Sequence, residues 1–107
     1  MIKVCPACAS TWAGGVHCED CGALLCEAIG RHDPGGVPVP YLMPGFTDAK
    51  SWSRLGTQSY GFMPVRFPDD GVKFGDLFHG HDERIPVDGL KWGVNVLYDV
   101  VKTFATT

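Results

Sequence analysis

The chain has 107 residues, of which 45% are hydrophobic and 11% aromatic, and a formal net charge of −3. That is the composition of a globular chain, long enough for one domain with at most a small appendage, and its excess of acid over base excludes a general polyanion binder, which needs lysine and arginine to neutralise phosphates. No apolar run reaches the ~18 residues of a membrane span and the N-terminus has no signal-like apolar stretch, so a soluble, cytoplasmic protein without nucleic-acid or membrane partners is expected.

Cys5, Cys8, Cys18 and Cys21 form a C-x2-C-x9-C-x2-C array. A two-residue gap lets each pair turn both sulfurs toward one ion, and two such pairs complete a tetrahedral thiolate site. The spacing therefore predicts a zinc-ribbon-like segment over residues 1–23. Such a site is closed to water, so its zinc is a structural clip rather than a catalyst; redox chemistry or unligated thiols are the competing readings. With Trp12 as its one large apolar residue and Gly14-Gly15 as its turn, the segment is too short to fold on burial and depends on metal.

Leu24, Leu25, Ala28 and Ile29 repeat at helical spacing, and Gly30 with Asp33-Pro34 ends the pattern, which predicts a helix over 23–30 with the leftover Cys26 buried on it. Val37 to Leu42 alternates like a strand, with Pro38 and Pro40 removing donors from one edge. Thr47 is placed to cap a helix over 48–55, Asp48 suits its positive end, and Gly56 closes it in the left-handed conformation. Ser59 to Met63 reads as a second strand stopped by Pro64. A loop follows, turning at Pro68-Asp69-Asp70-Gly71 and anchored by Phe67, Phe74 and Phe78. After the histidine loop, His79-Gly80-His81-Asp82-Glu83, a helix over 87–104 carries Leu90, Val94, Leu97, Val101 and Phe104 on one core-facing stripe, widened by Val96 and Val100. Trp52 and Trp92 read as core or interface residues. Helices alternating with strands predict an α/β fold, a partial parallel sheet with flanking helices behind a small N-terminal four-cysteine zinc ribbon.

Several motifs fall in a telling order: Val39-Pro40-Tyr41-Leu42-Met43-Pro44-Gly45-Phe46-Thr47-Asp48-Ala49, then Leu55-Gly56, Tyr60-Gly61-Phe62, His79-Gly80 with Asp82-Glu83-Arg84, and the helix through Leu90, Gly93, Val96 and Leu97. Together they resemble the C-terminal part of the dizinc metallopeptidase and amidohydrolase family, which includes aminoacylase, acetylornithine deacetylase, succinyl-diaminopimelate desuccinylase and the glutamate carboxypeptidases. The resemblance covers residues 24–107. It implies that His79 ligates one of two catalytic zincs. It also implies that Gly45, Thr47 and Asp48 lie beside the metal centre, where a helix N-terminus meets an anionic group of a peptide or N-acyl amino acid substrate. His81 matches no family ligand, although in an extended segment it faces the same way as His79 and would form a chelating pair.

The family's other ligands, an H-x-D motif and paired glutamates among them, have no counterpart in this sequence, and one histidine cannot hold two zincs. The resemblance therefore implies a fragment or split part of a hydrolase, inactive alone. It would need a complementing chain or self-association through strand edges that a truncated sheet leaves unpaired, with catalytic zinc bound only when the missing half is supplied. The alternative is a non-catalytic zinc-ribbon binding or adaptor protein. A second, His79-dependent metal separates the two.

Overall fold

The computed structural model describes residues 3–4, 11–12, 19–39 and 47–106. In chain order the elements are β1 (Lys3–Val4), β2 (Thr11–Trp12), α1 (Glu19–His32), α2 (Ala49–Trp52) running into a 3-10 turn (Ser53–Leu55), α3 (Phe74–Leu77) and α4 (Val87–Thr106). β1 and β2 pair antiparallel, Lys3 opposite Trp12 and Val4 opposite Thr11, and form the one ladder among the described residues. This overturns the α/β expectation. No parallel pair exists among the described residues, which are mainly helical, and neither 37–39 nor 59–63 is a strand; residues 40–42 lie outside the described set. The physical reason is local: Pro38 and Pro64 have no amide to donate and Gly61 offers no side chain to a sheet face. An extended segment becomes a strand only where a second one takes its hydrogen bonds.

The chain divides into two compact units, Met1–Phe62 and Met63–Thr107. In the first, α1 starts at Glu19 rather than near residue 23 and continues through Gly30. A glycine inside a helix costs only about 1 kcal/mol, too little to end one that packs. Termination falls where Pro34 denies Asp33 helical backbone, the Asp33 amide donating to the Ile29 carbonyl at 2.7 Å. Ala28 is fully buried, with Leu24, Leu25 and Ile29 half-buried. Cys26, expected to be buried, is exposed, because two residues from Ala28 is roughly 200° around the helix.

At α2 the sequence reading of the C-terminal end holds, whereas the N-cap is Asp48 rather than Thr47 and makes no side-chain capping bond. The Ala49 amide donates to Thr47 Oγ1 at 3.3 Å, and Gly56, at φ 80°, closes the segment with its amide on the Ser53 carbonyl. No residue of α2 or of the 3-10 turn is buried, and Trp52 is exposed.

The second unit is built on an extended stretch lying along α4. Gly89 and Gly93 are buried, and a Cβ on Gly89 would overlap the Arg66 carbonyl oxygen as one on Gly93 would overlap that of Pro64. Four residues of helix rise about 6 Å and two residues of extended chain about 6.6 Å, so glycines four apart match carbonyls two apart and the segments run antiparallel in register. Pro64 and Pro68 disfavour helical backbone at Met63 and Phe67, which suits an extended path here. The Arg66 guanidinium sits 4.7 Å from the Trp92 ring, a cation–π contact worth about 0.5–1 kcal/mol at a partly exposed site.

Val96 continues the glycine face and is fully buried; Leu77 of α3 is also buried. The stripe expected to face the core, Leu90, Val94, Leu97, Val101 and Phe104, is instead 45–59% exposed. Backbone-to-backbone approach at two glycines sets which side of α4 turns inward. Phe78, expected as an anchor, is exposed, and Leu77 takes that part. The turn after Pro68 forms as read, with Gly71 at φ 80° and the Val72 amide donating to the Asp70 carboxylate at 3.0 Å.

Candidate functional site

Of the four array cysteines, Cys5, Cys8 and Cys18 lie outside the described residues, and Cys21 is placed by backbone alone. The elements around them are informative. β1 ends at Val4, immediately before Cys5, and β2 begins at Thr11, so the Val4–Thr11 pairing brackets the first cysteine pair in sequence. α1 begins at Glu19, directly after Cys18, so Cys21 falls in its first turn. Four sulfur donors in two pairs are the donor set of a closed tetrahedral zinc site, and this chain's residues fit that metal.

The histidine loop has a different character. The Gly80 amide donates to the Leu77 carbonyl at 3.0 Å, Phe78 has φ −66° and ψ 115°, and His79 has φ 57°. These are the features of a type II turn over 77–80 in which His79 takes the position that requires positive φ and usually holds glycine or asparagine. The left-handed place falls on His79 and not on the glycine that follows it. Both His79 and His81 are exposed, and the His79 ring meets the Phe78 ring edge-on, centroids 4.6 Å apart. Among the described residues no three His, Cys, Asp or Glu side chains converge on a metal position. Among the described residues His79 is therefore not joined by the further ligands that a two-zinc centre needs.

Thr47 and Asp48 lie in the first unit and are exposed; Gly45 lies outside the described residues. The Thr47 hydroxyl is engaged by the Ala49 amide, whereas Asp48 occupies the N-cap position without a side-chain capping bond. α2 is only four residues long, too short to develop the terminal field that draws anions to longer helices.

A feature missed in the sequence is a cavity of about 310 Å³ in the second unit, lined by Met63, Val65, Phe67, Leu77, Phe78 and Ile85, with Glu83 and Arg84 its charged members. The signal for it is the alternation Met63, Val65, Phe67, which in extended chain sends three apolar side chains one way. Among the described residues no serine, cysteine or histidine lines it, and Glu83 is its one carboxylate. Among the described residues no helix is long and apolar enough to cross a membrane. No family model matches this chain, and comparison with characterised proteins and with solved structures finds none similar to it.

Proposed function

We propose that this chain is a non-catalytic zinc-binding adaptor, with Cys5, Cys8, Cys18 and Cys21 holding one structural Zn2+ in a reducing, cytoplasmic setting. The observation that carries the reading is the placement of regular structure about the cysteines. An antiparallel pair flanks the first C-x2-C, and the second C-x2-C straddles the start of α1. A four-thiolate zinc has no open coordination position, which supports a role in holding the fold rather than in hydrolysis.

The test is metal stoichiometry by elemental analysis and native mass spectrometry of the full chain. One zinc per chain is expected, lost in Cys5→Ser and Cys21→Ser and retained in His79→Ala. A chain without zinc after expression in zinc-supplemented medium would overturn the reading. A second zinc that disappears with His79→Ala would return the chain to the hydrolases.

A further inference from the structure

The outward stripe of α4 has its own spacing. Val87, Leu90, Val94, Leu97, Val101 and Phe104 recur at alternating steps of three and four residues, a heptad pattern with valine at every a position and Leu, Leu, Phe at the d positions. All six are 45–66% exposed. A stripe that keeps a 3.5-residue period along a 3.6-residue helix suits a second helix winding beside it. The face that α4 turns toward its own unit, Gly89, Gly93 and Val96, lies about 100° around the helix from this stripe, so packing within the second unit does not use the stripe.

We propose that a second copy of this chain covers the stripe, the two α4 helices forming a parallel two-stranded coiled coil. β-branched residues at a with leucine at d favour two parallel strands over larger bundles. Among the flanking e and g positions, Lys91, Gly93, Tyr98, Val100 and Ala105, one carries charge, so pairing brings no like charges together. The exposed stripe with Tyr98 beside it offers on the order of 600 Å² per chain, so a symmetric pair buries at most about 1,200 Å², the lower end for a specific interface. Contact with the 64–66 backbone already orders α4, so association does not have to form the helix. A lipid surface suits this helix less well: its polar side balances Asp88 and Asp99 against Lys91 and Lys102, without the cationic excess that draws helices to anionic membranes. The proposal is independent of metal at the cysteines.

The experiment is sedimentation equilibrium of the full chain from micromolar to near-millimolar concentration, beside Leu97→Lys, Val94→Lys and, on the polar side, Asn95→Lys. Wild type and Asn95→Lys are expected to reach twice the chain mass, and the two stripe variants to stay at one chain with unchanged far-ultraviolet circular dichroism. In a separate measurement a photo-crosslinking residue at Phe104 should capture the C-terminal turn of a second chain. Single-chain mass for wild type throughout, which would leave the stripe to a different protein, overturns the proposal. So do a dimer that survives Leu97→Lys, a mass of three or more chains, and a crosslink from position 104 to the start of a second α4.

Discussion

Gly93→Ala tests the packing of the second unit directly. In an open helix this substitution stabilises by about 1 kcal/mol, because alanine loses less backbone freedom on folding than glycine. At position 93 the added Cβ would stand 2.9 Å from the Pro64 carbonyl carbon and closer still to its oxygen, and both obstacles are backbone. A flexible side chain could swing away; the backbone beside Pro64 cannot. α4 must retreat by on the order of 1 Å, and a gap of that size forfeits a quarter to a half of each dispersion contact along the seam. Overpacking of this kind costs about 1–3 kcal/mol, which outweighs the helical gain and leaves a net loss of roughly 1–2 kcal/mol.

The assay is amide hydrogen exchange followed by mass spectrometry on peptides from residues 87–106, where such a loss speeds exchange by about 5- to 30-fold. Gly75→Ala is the matched control: it lies in the same unit, in α3, with nothing within 4 Å of its would-be Cβ, and it should slow exchange or leave it unchanged. Protection in Gly93→Ala equal to or above wild type would refute the register of Pro64 and Arg66 against Gly93 and Gly89. An equal loss in Gly75→Ala would refute the assignment of the effect to the clash.

The left-handed backbone of His79 predicts that His79→Gly stabilises the second unit by about 0.5–1 kcal/mol, the ~1–2 kcal/mol relieved there exceeding the entropic cost of glycine, as read by urea unfolding; a fall in stability would reject the type II turn. Thr47→Ala removes the acceptor of the Ala49 amide from outside the N-cap position of an exposed helix and should cost about 0.5 kcal/mol at most; hydrogen exchange across 47–56 checks it. In the zinc-loaded chain Cys26 should be the one thiol that alkylates quickly, and all five cysteines should react after chelation; rapid modification of more than one before chelation counts against the four-thiolate clip.

The residues that were legible in the sequence are those whose chemistry acts locally. Gly56 and Gly71 sit at φ 80° where turns were read, the Thr47 hydroxyl takes an amide of the helix it precedes, and α4 runs over 87–106 where 87–104 was expected. The strands were not legible, because alternation at 37–42 and 59–63 says that a chain could be extended and nothing about what would pair with it. The orientation of α4 was misread for a related reason: hydrophobic periodicity counts large side chains, and glycine contributes nothing to it. The informative spacing was Gly89 to Gly93, four residues on a helix, set against a proline-stiffened segment that presents carbonyls two residues apart.

The same two faces bear on what the chain does. A histidine that ligates a catalytic metal is usually fixed through its second ring nitrogen by a carboxylate or carbonyl, which sets the tautomer and aims the lone pair. His79 is exposed at the tip of a turn, and its left-handed backbone is accounted for by the Leu77–Gly80 hydrogen bond that the turn makes. Its position is therefore explained by chain reversal. Outward-facing valines and leucines have no such local explanation. A small unit that could have buried Leu90, Val94 and Leu97 instead buries two glycines and a valine, and leaves the larger apolar face open. A contiguous apolar face of that size and regularity has the character of an interaction surface, which is what the sedimentation experiment on Leu97→Lys and Val94→Lys tests.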